Sequence, residues 1–257
     1  MDDSRELARA PPNAALTKHE IIEKLNAVPT FCLLNSDQNI VAMVDPEGGE
    51  GEVCLWFTDA DDARRMLAVA LEQNPDALLH LGVTPLGLAF ALAERWAESP
   101  FVGDMRLQGN RAVVASMGPM LREQLAAQGL PAGAWQLPLF CCDELSSARV
   151  MPVFLSRADL VAAWEASGRS KESLPANLAV IELKVFVAQM QTDAFAWSSV
   201  AFVGSPRSVA LVRQSKLASA RAAGKGGPPP THASTASAGA GGDVPAGDDD
   251  DEPPPLV

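Results

Sequence analysis

The chain is poor in the residues from which catalytic and metal sites are usually built. It contains three histidines, of which only His80 lies between residues 28 and 222. No Gly-x-Ser-x-Gly or His-Glu-x-x-His motif surrounds that residue, so neither a histidine-dependent triad nor a zinc site with several imidazoles is expected. We predict no catalytic residue, no cofactor and no metal site, and hence a protein that is not an enzyme.

The cysteines are few and lack the spacing of a redox motif. Cys32, Cys54, Cys141 and Cys142 include no Cys-x-x-Cys pair. Adjacent residues of a strand point to opposite faces, so Cys141 and Cys142 are poorly placed to pair with each other. We interpret all four as small buried apolar residues. The alternative is a thiol oxidoreductase, which would need a reactive thiolate beside a base.

Long apolar runs and basic clusters are also missing. The best apolar run, 86–93, is too short to span a bilayer and fits a helix. The net charge is −12, and nucleic-acid binding needs a clustered basic surface instead. Two basic and six acidic residues follow position 220, so the rest of the chain is itself acidic. We predict no nucleic-acid partner and no membrane-spanning segment.

Short matches predict that one unit occurs twice in the chain. The number of residues between a position in the first copy and its match in the second decreases stepwise along the chain. This decrease is expected if the first copy has longer loops. Such a duplication implies two similar halves about a pseudo-twofold axis. The matched segments are 28–32 with 137–141, 57–62 with 154–159, 83–86 with 180–183, and 117–119 with 204–206. The matched residues that we expect to superpose are Pro29 with Pro138, Phe57 with Phe154, and Leu86 with Leu183.

Composition divides the chain into three parts. Residues 1–14 are polar, and we predict a disordered lead-in. Residues 15–223 form the duplicated domain, with halves at about 28–130 and 137–222. Residues 224–257 are rich in Gly, Pro and Ala, contain an acidic run at 248–252, and are predicted to be a disordered tail.

Within the domain, strand and helix patterns mix without strict alternation, which predicts an α+β fold with a mixed sheet packed against helices. The capping box at Thr17 and Glu20 predicts that a helix begins there. Strands are expected near 29–35, 39–45, 52–58, 79–84, 112–117, 137–143, 149–155, 177–183 and 199–204. Further helices are expected near 60–73, 86–98, 118–129, 157–167, 183–193 and 206–222.

The acidic run 59–62 has two interpretations. An EF-hand loop would need oxygen ligands at further fixed positions and a glycine at the sixth, which this run lacks. An N-cap at Asp59 explains the run, and Ser156 occupies the matched position in the second half. We therefore predict two helix caps and not a metal site.

Two predicted helices, 86–98 and 183–193, begin with residues that are apolar on nearly every side. Such a helix is either sandwiched inside the protein or exposes a patch that another chain covers. We predict an exposed patch as the functional surface. The candidate client-binding residues are Leu86, Phe90, Leu183 and Phe186.

Several motifs, in this order and in two halves, resemble the twenty-two-kilodalton Tic subunit family (Tic22-like) of the chloroplast import translocon. The resemblance covers roughly residues 18–215. It rests on 24–31, Phe57 with the helix start after it, 73–75, 137–140, 151–154 and 202–205.

The resemblance implies an α+β fold of two pseudo-symmetric halves with apolar pockets. It also implies a chaperone-like, non-enzymatic role in chloroplast protein import, in the envelope intermembrane space. The implied partners are unfolded precursor proteins and translocon subunits of the envelope. The first six residues are acidic and do not have the composition of a transit peptide. A structural adaptor or dimerisation module is the alternative, and the oligomeric state is left open.

Overall fold

The computed structural model describes residues 13–45, 48, 51–99, 101 and 103–224, with the backbone alone for 216–224. The predicted lead-in and tail lie outside the described residues, except for 13, 14 and 224. Asn13, which was assigned to the lead-in, already contacts the second half, because its side-chain amide donates to the Ala194 carbonyl at 3.4 Å.

Helices and strands alternate irregularly in both halves. The first half contains α1 (Lys18–Leu25), β1 (Pro29–Leu34), β2 (Met43–Val44), β3 (Glu52–Phe57), α2 (Ala60–Gln73), β4 (His80–Pro85), α3 (Leu86–Ala93), β5 (Asp104–Gln108) and α4 (Arg111–Ala127). The second half contains β6 (Pro138–Cys141), β7 (Met151–Phe154), α5 (Arg157–Ala166), β8 (Ala179–Glu182), α6 (Leu183–Met190), β9 (Val200–Val203) and α7 (Pro206–Gly224).

Each half builds one sheet, and the two sheets share a topology. In the first, β1 is antiparallel to β3 and β4, and β3 is parallel to β5. In the second, β6 is antiparallel to β7 and β8, and β7 is parallel to β9. Phe31 faces Phe57 in one ladder, as Phe140 faces Phe154 in the other. The predicted α+β fold is confirmed, whereas the origin of this shared topology in a duplication stays a prediction.

A single apolar layer lies between the two sheets. It contains Trp56 and Leu107 from the first sheet, Leu139 and Val153 from the second, and residues of α1, α3 and α6. The outer face of each sheet has its own core, formed around Phe31 on one side and Phe140 on the other. Burial of both faces explains why the central strands are almost continuously apolar.

The last helix of each half packs on the sheet of the other half. Val113 and Met117 of α4 pack on the outer face of the second sheet with α5. Leu211 and Val212 of α7 pack on the outer face of the first sheet with α2. The two halves are therefore interlocked by exchanged helices, and neither outer core is complete without the other half.

The predicted caps are confirmed. Thr17 and Glu20 form both hydrogen bonds of a capping box. The Asp59 carboxylate accepts from the amides of Asp61 and Asp62, at 2.9 and 3.0 Å. Ser156 accepts from the amide of Ala158 at 3.1 Å. These acceptors satisfy backbone donors that the first turn of a helix leaves without a partner.

Several predicted elements are wrong. The expected strand at 112–117 is part of α4, which begins at Arg111, seven residues before the predicted start at 118, because Asn110 caps it. The match of 117–119 with 204–206 is also wrong, since Pro119 lies inside α4 whereas Pro206 begins α7. The strand expected at 39–45 is reduced to Met43–Val44. Strand β5, in which polar and apolar residues alternate strictly, lies where the sequence analysis expects no strand.

Candidate functional site

The four predicted client-binding residues are not at the surface. Leu86, Phe90, Leu183 and Phe186 are 0%, 1%, 0% and 1% exposed. All four belong to the layer between the two sheets, so α3 and α6 are apolar because they are sandwiched. The predicted exposed patch at these side chains is therefore corrected: in this structure they are core residues.

The carboxyl ends of the parallel strands meet at one cleft between the halves. Helices α2 and α4 begin where β3 and β5 end, and α5 and α7 begin where β7 and β9 end. The Thr58 amide donates to the Gln108 carbonyl at 2.9 Å and so ties the ends of β3 and β5 together. In α/β proteins, this junction of strand ends and helix starts is a preferred place for ligands.

This inter-half cleft has a volume of about 530 Å³, within the range of ligand-binding pockets. Both halves contribute to an apolar floor and a polar rim. The apolar side chains are Val28, Ala60, Val113, Phe140, Leu155, Ala158, Ala162 and Pro206. The polar and charged lining residues are Thr58, Asp59, Asp61, Asn110, Ser156, Arg157, Asp159, Ser205 and Arg207.

The carboxylates of the cleft are crowded and partly withdrawn from water. Burial is the main cause of the raised pKa of Asp159, and the negative charge of Asp59 acts in the same direction. Burial also raises the pKa of Asp62, which lies behind Asp59 in the first turn of α2. Such carboxylates favour a cationic partner, because a nearby positive charge relieves both effects.

One ion pair closes part of the rim. Arg207 of α7 donates to Asp61 of α2 at 2.8 Å, and Arg64 donates to the other oxygen of the same carboxylate at 3.1 Å. The side chain of Arg207 is 79% exposed, so this pair contributes little to stability and is screened by salt. It is able to open when a charged ligand approaches.

A second concavity lies on the surface of the first half. It has a volume of about 590 Å³ and is lined by Arg106 and Arg122. Arg106 is already neutralised, because it donates to Asp45 at 2.8 Å and to Asp104 at 3.0 Å. The charge that Arg106 could offer to an anion is thus largely used inside the protein.

The four thiols are buried and free of disulfides. Burial raises the pKa of Cys54 to about 11 and that of Cys141 to about 12. It also raises the pKa of Cys32 and Cys142. Thiolates are the reactive form of cysteine, so this environment suppresses the chemistry that an oxidoreductase needs. The interpretation of the cysteines as core residues is confirmed.

Within the described ranges, no group of three or more His, Cys, Asp or Glu residues is arranged to hold a metal ion. Across those ranges, the helices are also too short or too polar to cross a bilayer. The inter-half cleft is suited to binding a ligand, because it offers apolar contacts, helix N-termini and mixed charge at a place that both halves build.

Comparison with solved structures identifies the fold. No protein-family model matches the sequence, and no curated protein matches it. Anabaena Tic22, described as a protein-transport protein, is similar in structure, with a TM-score of 0.53 and 17% identity over 77% of this chain and 97% of that one. Tic22 from Plasmodium falciparum has a TM-score of 0.51 and 17% identity over 77% of this chain and 98% of that one. The chain is an α+β protein with the Tic22 fold, as the resemblance of its sequence implied.

Proposed function

We propose that this protein is a non-enzymatic, chaperone-like component of chloroplast protein import that binds precursor proteins. The observation that carries the proposal is the fold, which spans nearly the whole of a protein described as protein transport. The buried thiols support a binding role over redox chemistry.

We infer that the protein works in the envelope intermembrane space, with unfolded precursors and translocon subunits as its partners. The charge of the chain supports this inference. Targeting segments of imported precursors are rich in Arg and Ser and poor in acids. A chain with a net charge of −12 attracts such segments over distances of about a Debye length.

The contact surface that we propose is the inter-half cleft. Its apolar floor suits the side chains of an unfolded segment, and its crowded carboxylates, Asp59 and Asp159, suit the basic ones. Because α2, α4, α5 and α7 all begin at this cleft, a bound segment would touch both halves at once. The cleft takes the role that the sequence assigned to α3 and α6.

The proposal is tested by filling the cleft with a bulky side chain. Ala162 is exposed and lines the cleft, whereas Ala166 is exposed one turn further along α5, away from it. Ala162→Trp should abolish the ability of the protein to suppress aggregation of a denatured client, measured by light scattering. Ala166→Trp is the matched control and should retain it.

Two results would count against the proposal. If the wild-type protein fails to suppress aggregation, the chaperone-like role is wrong. If both tryptophan variants act like the wild type, clients are held elsewhere and the cleft is not the contact surface.

A further inference from the structure

Strand β4 presents a free main-chain edge. The Leu86 amide donates to the Val28 carbonyl at 2.8 Å. This bond determines which residues of β4 direct their main-chain N–H and C=O groups toward β1, because such residues alternate along the ladder. The main-chain groups of Thr84 and Gly82 point toward β1, and those of Leu81 and Val83 point away from it. Within the described part of the chain, no protein group pairs with the outward N–H and C=O of Leu81 and Val83. The Val83 side chain is 39% exposed.

The corresponding edge of the second sheet is closed by one side chain. Gln124 of α4 donates to the Val180 carbonyl at 2.8 Å and accepts from the Glu182 amide at 2.8 Å. The glutamine amide thereby replaces one residue of a neighbouring strand. Val180 faces Phe140 in the second sheet as Val83 faces Phe31 in the first, so the two positions are equivalent in register.

The two sheets therefore differ at this edge. A side chain closes it in the second sheet, whereas among the described residues no strand or side chain closes it in the first.

We propose that β4 is a docking strand, to which an extended, acid-poor segment of an unfolded precursor adds as a further strand. This inference rests on the proposed function and specifies how the client is held. Outward donors and acceptors that repeat every second residue are complementary to extended main chain and to little else. Main-chain pairing also does not depend on the sequence of the bound segment. A factor that receives many different precursors requires this property.

Charge and position favour this occupant. Residues 66–93, which lead into and out of β4, contain no Lys or Arg and include Glu72 and Asp76. A basic segment is therefore attracted to this edge, and an acidic one is repelled. The strand also ends beside the inter-half cleft, because Pro85 pairs with Pro29, next to the cleft residue Val28. One extended segment is thus able to engage both.

The test removes one outward N–H group. Val83→Pro deletes a donor that faces away from β1, a place where edge strands tolerate proline. Val180→Pro is the control at the equivalent position of the closed edge. Binding of a fluorescein-labelled peptide of alternating valine and lysine to the full chain is followed by anisotropy. We expect Val83→Pro to weaken binding by about tenfold, as the loss of one hydrogen bond and the bulk of the ring predict, and Val180→Pro to leave it unchanged.

Hydrogen exchange gives a second readout that does not need the proline variant to fold. Amides of Leu81 and Val83 in the wild-type chain should exchange fast alone and become protected when the peptide binds. Val83→Lys, which keeps the N–H but adds a charge that repels the basic peptide, should weaken binding as well.

The outcomes separate the two proposals. If the peptide and a denatured client both fail to bind the wild-type chain, the proposed function fails and this inference with it. If clients bind but β4 gains no protection and Val83→Pro binds normally, the docking strand alone is wrong. If the wild type sediments as a dimer that Val83→Pro dissociates without loss of peptide binding, the edge pairs with a second copy and the inference is overturned.

Discussion

Glu182 at the end of β8 accepts a hydrogen bond from the amide of Leu137 at 3.3 Å, although its carboxylate is fully buried. The same side chain caps α6, with one oxygen accepting from the amides of Lys184 and Val185 at 2.5 and 3.2 Å. Burial outweighs these hydrogen bonds and raises the pKa of Glu182 from its ordinary 4.5 to about 6. A buried acid thus ties the residue that precedes β6 to the helix that follows β8.

The pKa of Glu182 predicts a pH-dependent stability. The folded protein keeps this proton to a higher pH than the unfolded chain, so the free energy of unfolding falls as pH rises between 4.5 and 6. A shift of this size corresponds to about 2 kcal/mol. Glu182→Gln keeps an oxygen acceptor without a titrating group. Its stability relative to the wild type, measured by urea unfolding, should increase by about that amount from pH 4 to pH 7. Parallel pH profiles of the two proteins would contradict this assignment.

A second prediction separates core residues from surface residues on α3. Phe90→Ala should lower the free energy of unfolding by about 3–5 kcal/mol, because it empties a space in the layer between the sheets. Leu88, two residues away, is 45% exposed, and Leu88→Ala should cost about 1 kcal/mol or less. Chemical denaturation compares the two. A Phe90→Ala variant that is fully stable but cannot bind clients would restore the original assignment of Phe90 to a client-binding surface.

The thiols provide a third prediction. All four should be unreactive toward Ellman's reagent at neutral pH in the folded protein and react at once in urea, because burial limits access and raises their pKa. Replacement of Cys141 by serine should destabilise the protein without a specific loss of client binding. Rapid modification of even one thiol in the folded state, accompanied by loss of function, would instead support the oxidoreductase.

The exchange of helices predicts how truncation affects cooperative unfolding. A chain that ends at Gly204 lacks α7 and exposes the outer core around Phe31, which Leu211 covers in the full chain. It should lose cooperative unfolding, monitored by circular dichroism. A chain that ends at Gly224 keeps α7 and should unfold like the full protein, since the sequence beyond it has little apolar content to contribute. Cooperative unfolding of the shorter chain would show that α7 is not required.

Local signals in the sequence predicted most elements but not how the helices pack. Caps at Thr17, Asp59 and Ser156 were visible because capping depends on residues a few positions apart. Strand β5 was also visible in principle, through its alternating residues. Val113 and Val114 favour a strand, yet the cap at Asn110 and the buried apolar face of α4 stabilise a helix.

The candidate site could not be predicted in the same way. The inter-half cleft joins the ends of four strands that are far apart in the chain, and the exchange of α4 and α7 depends on which sheet each helix meets. The apolar helices α3 and α6 allowed two interpretations, and only the position of the second sheet distinguishes them.

The exchanged helices also determine when the protein can finish folding. The outer face of the first sheet is covered by α7, which is synthesised after every strand of both sheets. A nascent chain therefore cannot complete its first half while the second is still inside the ribosome, and the same holds for a chain that emerges in order from a membrane pore. Until its last helix arrives, this protein has an incomplete core of its own and resembles the unfolded chains that we propose it binds.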